Sequence, residues 1–179
     1  VGQFKNREMD GEFVDWYENG QLKWKRSFKA GKPVGVNTVY FEDGKVEKTF
    51  DFAQQKLTWY YPNGQIREIQ KEGDDFELQT FYLSGKPFEH TALKADGSVE
   101  SKYYSEQEGL VYEVSSINRI VYHQGNPFSC AIHCQFADGK TSYLLNYQDG
   151  KRHGKLESFY GDGQKQSEGE YENGKELHF

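Results

Sequence analysis

The residues with the most reactive side chains lie in the segment 128–136, where Cys130 and Cys134 flank His133. Thiolates and imidazoles at short spacing can bind zinc, and paired thiols can form a disulfide. If the segment is a β-strand, side chains alternate, so both cysteines share one face with Ile132 while His133 points to the other. The two cysteine Cα atoms are then roughly 13 Å apart, which is too far for a disulfide. We therefore predict two small buried hydrophobic side chains and no metal site.

The other residue types that support catalysis form no pattern of a known kind. The remaining histidines share no spacing that would build a zinc site; they are His90, His123, His153 and His178. The sequence contains no Gly-x-Ser-x-Gly, His-Glu-x-x-His or phosphate-binding loop. Carboxylates are numerous, but no pair stands out as the acid and base of a glycosidase. We predict no catalytic residue, no metal, no cofactor and no enzymatic activity.

Pairs of adjacent aromatic residues, here called doublets, are the feature whose chemistry points to binding. They are Trp16-Tyr17, Tyr40-Phe41, Tyr60-Tyr61, Phe81-Tyr82 and Phe159-Tyr160. We call the two residues of a doublet its first ring and its second ring. Because strand side chains alternate, the first rings point away from the second rings. The first rings and the nearby cations together resemble the composition of protein interfaces. The predicted binding residues are Trp16, Lys23, Lys25, Tyr40, Tyr60, Arg67, Phe81 and Phe159. The alternative is that the first rings only pack across strands and stiffen the sheet.

A repeated signal of an aromatic residue, two mostly polar residues and a glycine positions these doublets. Ten copies begin at residues 17, 28, 41, 61, 82, 122, 136, 147, 160 and 171, which predicts a repeat protein. Most copies contain Asn-Gly or Asp-Gly, the strongest short-range signal for a hairpin with a type I′ turn. We predict turns at Asn19-Gly20, Asp43-Gly44, Asn63-Gly64, Asp138-Gly139, Asp149-Gly150 and Asp162-Gly163.

The first hairpin sets the predicted register. With Asn19-Gly20 at the centre of a two-residue turn, Tyr17 pairs with Leu22 and Asp15 pairs with Trp24. The apolar face is then predicted to hold Tyr17, Leu22, Trp24, Phe28 and Phe41, and the opposite face to hold Trp16 and Tyr40. The step from the copy at residue 61 to the copy at residue 82 is 21 residues and spans two turns. With two-residue turns, an even number of residues would keep both opening aromatic residues on the same face. We therefore predict an odd loop or a bulge at residues 72–75.

Composition favours strands over helices. Aromatic residues make up 16% of the chain, which suits strands, and no segment shows a sustained helical period. We predict an all-β protein, an elongated antiparallel β-meander of hairpin repeats that forms a largely single-layer twisted sheet. We expect one repeat domain over residues 1–179, with a seam near residues 105–109.

Two segments, Gly31-Lys32-Pro33-Val34-Gly35 and Gly150-Lys151-Arg152-His153-Gly154, place Gly-Lys-x-x-Gly after an aromatic residue. Residues 4–11 form a degraded copy, with Arg7 where a glycine is usual. The sequence therefore resembles MORN repeats, in the variant found in the bacterial YwqK-type antitoxin family. The resemblance covers residues 1–64 and 136–179 and is weaker over about 66–135. It implies an extended antiparallel sheet that contacts other proteins, sometimes lipid, and the antitoxin label is a family name.

The formal net charge is −6, and no basic stripe of the kind used by nucleic-acid binders is visible. No run is long and apolar enough to span a bilayer, so we expect a protein partner, no nucleic acid and no membrane span. Because the sequence starts at Val1 inside a degraded repeat and stops at Phe179 inside an expected strand, we expect a fragment or a processed product. We also predict an edge-to-edge contact with another chain or a missing capping segment. The compartment stays open between exported, periplasmic and cytoplasmic.

Three functions are compatible with this sequence. The first is a non-catalytic protein-interaction module that uses the exposed rings. The second is a carbohydrate or cell-envelope polymer binder that uses the same rings for stacking, and the third is an enzyme with a site in the irregular middle. A charge-steered protein partner is weakened by salt, whereas sugar stacking should respond little.

Overall fold

The computed structural model describes residues 2–74 and 76–177. Within these residues no helix occurs, and every strand pair is antiparallel. The predicted all-β antiparallel meander is confirmed. The chain divides into two compact units, Val1–Gly85 and Lys86–Phe179.

The first unit contains a two-stranded ribbon and a seven-stranded sheet. The ribbon pairs β1 (Phe4–Lys5) with β2 (Glu8–Met9). The sheet contains β3 (Gly11–Trp16), β4 (Leu22–Lys29), β5 (Lys32–Tyr40), β6 (Val46–Asp51), β7 (Lys56–Tyr60), β8 (Ile66–Lys71) and β9 (Glu77–Phe81). From β3 to β9 each strand pairs with the next, so this sheet is a single-layer meander.

The turns at one end of this sheet share a backbone geometry, shown by the first of them. The amide of Gly20 donates to the carbonyl of Tyr17, and the amide of Tyr17 donates to the carbonyl of Gln21. Asn19 Oδ1 accepts a hydrogen bond from the Gln21 amide at 2.9 Å, which explains the Asn or Asp before the glycine. The turn position is predicted correctly, but the type I′ geometry is wrong, because that type needs positive φ at both central residues and only Gly20 has it.

A bulge beside the turn restores most of the predicted register. Trp16 pairs with Leu22, whereas Asp15 pairs with Trp24, so Lys23 is an extra residue in β4. The same shift occurs after the turns that follow β5 and β7. The predicted pairing of Asp15 with Trp24 is therefore confirmed, and the predicted pairing of Leu22 with Tyr17 is wrong.

The Gly-Lys-x-x-Gly motif has a backbone explanation at the opposite end of the sheet. Ala30 and Gly31 both have positive φ, 48° and 74°, and they form the type I′ turn between β4 and β5. Gly35 has a φ of 68° and lies where the pairing of these strands shifts, as expected for a bulge glycine. Arg7 replaces the turn glycine of the degraded copy with a φ of 67°, which costs about 1–2 kcal/mol for a residue with a Cβ.

Neighbouring turns in the first unit are joined by side-chain hydrogen bonds. Tyr17 Oη donates to the Tyr40 carbonyl at 2.6 Å, and Asn19 Nδ2 donates to the Glu42 carbonyl at 2.9 Å. The turn at residues 61–64 makes the same two bonds to the turn that follows it. The Tyr and Asn of these two turns therefore couple each of the two hairpins to the next turn at the same end of the sheet, as in other repeat arrays.

The second unit contains two antiparallel sheets. The first contains β10 (Pro87–Leu93), β11 (Val99–Ser105), β12 (Gly109–Ile117), β13 (Ile120–His123) and β14 (Asn126–Pro127). The second contains β15 (Ala131–Gln135), β16 (Thr141–Gln148), β17 (Lys151–Phe159), β18 (Lys165–Glu172) and β19 (Lys175–Glu176). Consecutive strands pair within each sheet.

These two sheets pack against each other and form the core of the second unit. Ile132 and Cys134 of β15 are both 0% exposed. They pack with Tyr103, Val114 and Phe128. The sequence does not predict this second layer, because its repeat pattern describes hairpins and not the packing of one sheet on another.

The turn between β16 and β17 also fastens one sheet to the other. Asp149 and Gly150 have φ values of 48° and 74°, so the type I′ turn predicted here is confirmed. The amide of Val121 donates to the Gly150 carbonyl at 2.8 Å, and the Gly150 amide donates to the Phe128 carbonyl at 2.9 Å. This turn therefore bonds directly to β13 and to the segment that leaves the first sheet.

Three predictions fall on irregular or terminal segments. Lys71 pairs with Glu77, so an odd number of residues separates β8 from β9, as predicted; of the predicted site at residues 72–75, Asp75 lies outside the described residues. Residues 105–109 form the turn between β11 and β12. The predicted edge at Phe179 lies outside the described residues.

Candidate functional site

Four of the predicted binding rings lie at equivalent positions on one face of the first unit. Cross-strand pairing places Trp16 beside Leu22, and the next two hairpins repeat this pair of a ring and an aliphatic side chain. The first-ring face, as we name it, consists of Trp16, Leu22, Tyr40, Val46, Tyr60, Ile66 and Phe81. Trp16 is 47% exposed, and the others are half-buried. Leu22 was predicted on the opposite face, and the bulge at Lys23 brings it here.

The three predicted cations divide between the two faces. Lys25 lies on the first-ring face, where its Nζ is 2.6 Å from Glu12 Oε2. The predicted placement of Lys23 and Arg67 beside the first rings is wrong, because both are bulge residues that turn to the other face. Lys23 Nζ lies 5.6 Å from the centre of the Tyr17 ring. Arg67 Cζ lies 4.8 Å from the centre of the Trp59 ring.

Two further cations contact rings on the face opposite the first-ring face, and neither contact was predicted from the sequence. Arg26 Cζ lies 4.7 Å from the Trp24 ring centre, and Lys48 Nζ lies 4.2 Å from the Trp59 ring centre. Such cation–π contacts contribute about 0.5–1 kcal/mol at exposed sites. Lys48 and Trp59 pair directly across a hairpin without a bulge, whose turn has no Asn-Gly or Asp-Gly signal. Trp24 and Trp59 are therefore both in contact with cations, and Trp59 contacts two of them.

Phe159 belongs to the second unit, whereas the other four first rings belong to the first unit. It is half-buried and pairs with Lys165. In this doublet the second ring is the exposed one, since Tyr160 is 52% exposed. The prediction that second rings pack on an apolar face is thus wrong at Tyr160.

The two cysteines have different environments. Cys134 is buried beside Ile132 as predicted, but Cys130 precedes β15 and is exposed, so its predicted burial is wrong. Burial, with a smaller effect of the Glu89 charge, raises the pKa of the Cys134 thiol to about 12. His133 Nε2 lies 2.9 Å from Thr141 Oγ1. Within residues 2–74 and 76–177, no three His, Cys, Asp or Glu side chains converge as metal ligands would.

We expect iodoacetamide to alkylate Cys130 and not Cys134 in the folded protein at pH 8. The thiolate is the reacting form, and Cys134 is both inaccessible and protonated. Intact mass should show one adduct in native buffer and two in denaturant, and peptide mapping should place the first adduct on Cys130. Equal native labelling of both thiols would contradict the buried position of Cys134.

The second unit contains a cleft of about 440 Å³ between its two sheets. The inter-sheet cleft, as we name it, is lined on its polar side by Glu89, Thr91, Ser101, Arg119, Tyr147 and Arg152. Glu89 and Thr91 lie on β10, and their cross-strand partners are Tyr103 and Ser101 of β11. Paired residues share a face, so these four side chains converge on the second sheet.

A chain of hydrogen bonds ends on the Glu89 carboxylate. Thr91 Oγ1 donates to Glu89 Oε1 at 3.0 Å, because an ionised carboxylate only accepts. Ser101 Oγ, 2.8 Å from Thr91 Oγ1, then donates to Thr91. Burial raises the pKa of Glu89, against smaller opposite effects of Thr91, Tyr103 and Arg152. Because this pKa lies above its value in the unfolded chain, the contribution of Glu89 to stability falls as the pH rises through the folded-state pKa.

The opposite wall of the cleft contains Arg152 and Tyr147 of the second sheet, and Tyr143 and Tyr171 lie near Arg152. The Arg152 guanidinium lies 5.5 Å from the centre of the Tyr171 ring. Burial raises the pKa of both Tyr143 and Tyr147, and the charge of Arg152 opposes this. Among the described residues, no ion pair involves Glu89 or Arg152.

This cleft was not predicted from the sequence. Glu89 lies in the segment where the repeat is weakest, and Arg152 was noticed only as part of a turn motif. A partial signal was present, because the Gly-Lys-x-x-Gly motif fixes the turn that positions Arg152. The packing of the two sheets, which brings the residues together, leaves no local pattern.

No helix in the described part of the chain has the length and apolar character needed to cross a membrane.

Comparison with known proteins supports the repeat interpretation in part. No curated protein matches the chain. A family model described as MORN repeat variant matches residues 9–30, 56–71 and 152–173. These segments contain the hairpins β3–β4, β7–β8 and β17–β18, respectively. Three hairpins of the chain are therefore similar to the MORN repeat variant, a repeat that suggests a binding module.

Proposed function

We propose that this chain is a non-catalytic protein-interaction module that binds a partner protein along the first-ring face. The observation that supports the proposal is the regular row of ring and aliphatic pairs on one face of a single-layer sheet. A contiguous apolar patch on a soluble protein is typical of interaction sites. The antitoxin-like role that the family resemblance implies would make the partner a toxin protein.

The surroundings of the row have the composition of an interface. The half-buried Thr38 and Thr49 form an adjacent polar pair through direct cross-strand pairing, and the row continues to the buried Thr58. The ion pairs Lys25–Glu12 and Lys71–Glu77 lie farther out on the sheet. An apolar, aromatic centre with a polar, charged margin is the usual anatomy of a protein interface.

We expect Trp16→Ala and Tyr40→Ala to reduce partner capture while the fold stays intact. Trp16 is 47% exposed, so its truncation leaves little cavity, whereas central interface Trp and Tyr residues often contribute 2 kcal/mol or more, about 30-fold in affinity. The measurement is capture from lysate of the native host, identification of the captured protein, and titration of that protein against each variant. Circular dichroism and thermal unfolding establish folding.

Two matched variants make this test specific. Tyr160→Ala removes a ring with 52% exposure from the second unit and should leave capture unchanged. Tyr17→Ala removes the ring whose hydroxyl bonds to the next hairpin, so it should lower the melting temperature more than Trp16→Ala does. If Trp16→Ala lowers the melting temperature as much as Tyr17→Ala, and capture is lost only through unfolding, the first rings are structural and the proposal fails.

A carbohydrate or envelope-polymer ligand would also use the exposed Trp16 ring. Titration at low and high salt separates the two classes of partner, since a charge-steered protein complex weakens with salt. Binding of a soluble polysaccharide that is insensitive to salt and lost in Trp16→Ala would replace the protein-partner proposal.

A further inference from the structure

We propose that the inter-sheet cleft binds a small acidic α-amino acid, with its ammonium group on Glu89 and its two carboxylates on Arg119 and Arg152. This site is in the second unit and does not depend on the function proposed for the first-ring face.

The Glu89 side of the cleft presents hydrogen-bond acceptors. Thr91 donates its only hydroxyl proton to Glu89, and Ser101 in turn donates to Thr91. The remaining capacity of Ser101 and of the Glu89 oxygens is for accepting. A ligand group that binds here must therefore donate.

A cation is a better occupant of that position than a hydroxyl. Glu89 is half-buried, and no described residue forms an ion pair with it. The charge of Arg152 lowers the pKa of Glu89 as the smallest of the effects on it, but the two side chains do not form an ion pair, and a partly buried charge without such direct pairing is costly. An ammonium group of a ligand would supply the direct partner and would make charge-assisted hydrogen bonds.

Arg119 and Arg152 give the cleft an excess of positive charge. Both are exposed, and together with Glu89 they are the charged residues that line it, so the lining carries a formal charge of +1. Guanidinium groups bind carboxylates in a planar, bidentate geometry. One ammonium and two carboxylates complement one Glu and two Arg side chains in number and sign.

The size of the cleft suits such a ligand. Its volume of about 440 Å³ lies near the lower end of the range for small-molecule sites, about 300–1,000 Å³. The aromatic ring of Tyr147 and the side chain of Val121 supply apolar walls for the short carbon chain of the ligand.

Binding should weaken at acidic pH. The groups that influence or face Glu89 from the packed strands are Tyr103, Cys134, Tyr143, Tyr147 and Arg152. The phenols and the thiol stay neutral and the guanidinium stays charged at acidic and neutral pH, so Glu89 is the group among these whose charge changes as the pH falls. As the pH falls through its raised pKa, Glu89 gains a proton and no longer attracts an ammonium group.

Isothermal titration of the full chain with L-glutamate, glutarate and 4-aminobutyrate at pH 7.5 tests the proposal. Glutarate lacks the ammonium group and 4-aminobutyrate lacks one carboxylate, so each should bind about tenfold more weakly than L-glutamate, or worse. Glu89→Gln should remove the preference for L-glutamate over glutarate. Arg152→Gln should weaken the binding of both.

Glu113→Gln is the matched control. Glu113 lies on β12 with its side chain opposite to that of Val114 and forms an ion pair with Lys102 at 3.2 Å, so its substitution should leave binding unchanged. If circular dichroism shows that Glu89→Gln does not fold, Thr91→Val replaces it, because Thr91 donates to Glu89. The relative affinities of the three ligands for the unaltered chain test the proposal in either case. Absence of saturable L-glutamate binding, or equal affinity for glutarate, would overturn the proposal.

Discussion

Gly150→Ala should lower the free energy of unfolding of the second unit by about 2–5 kcal/mol. A Cβ atom at this position would lie 2.5 Å from Ile120 Cγ2 and 2.7 Å from the Val121 carbonyl oxygen. The backbone oxygen cannot move without breaking the hydrogen bonds that join this turn to β13. Alanine is also strained at a φ of 74°, so strain and overlap act together.

Gly31→Ala is the matched control, because Gly31 has the same φ of 74° in the same Gly-Lys-x-x-Gly motif. The atom nearest to its added Cβ would be Glu8 Cβ at 3.8 Å, an ordinary contact. We expect only the cost of the left-handed backbone, about 1–2 kcal/mol. Equal losses for the two variants would show that the close approach of Gly150 to β13 contributes nothing.

Each unit has its own probe for such measurements. All three tryptophans, Trp16, Trp24 and Trp59, lie in the first unit, so their fluorescence reports its unfolding. Cys134 is buried in the second unit, and its reaction with a thiol reagent in denaturant reports the unfolding of that unit. Gly31→Ala is followed by fluorescence and Gly150→Ala by thiol exposure.

The positions of the hairpins could be predicted because each turn is encoded locally. The glycine that needs positive φ and the Asn or Asp that accepts an amide hydrogen lie within four residues of each other, as Asn19 and Gly20 show. The pairing of Asp15 with Trp24 was predicted correctly because the bulge at Lys23 offsets the difference between the predicted two-residue turn and the longer turn that forms.

The placement of side chains near the turns could not be predicted, because it depends on a bulge without a sequence signal of its own. Lys23 and Arg67 occupy bulges, and neither residue type is special there. One extra residue is enough to reverse a face. The first-ring face therefore contains four of the five predicted rings and only one of the three predicted cations, Lys25.

The second layer and the cleft depend on contacts between residues that are distant in sequence. Ile132 and Leu145 read as ordinary strand residues, yet they are 0% and 1% exposed because two sheets pack on each other. Glu89 and Arg152 become neighbours for the same reason. A repeat pattern describes each hairpin and its nearest partner, and the packing of separate sheets lies beyond it.

We expect Ile132→Ala to cost the second unit about 2–5 kcal/mol, the range for truncating a fully buried Ile to Ala. Ile132 is 0% exposed and packs with Cys134, Val114 and Phe128 between the two sheets, so truncation leaves a cavity that the surrounding strands cannot fill. Denaturant unfolding followed by reaction of Cys134 measures the loss.

Ile69→Ala provides the comparison within a single layer. Ile69 is half-buried on β8, between Thr58 and Gln79, so its truncation removes less buried surface and leaves no enclosed cavity. We expect a loss of about 1 kcal/mol, measured by tryptophan fluorescence. If Ile132→Ala costs no more than Ile69→Ala, the second sheet adds little to stability.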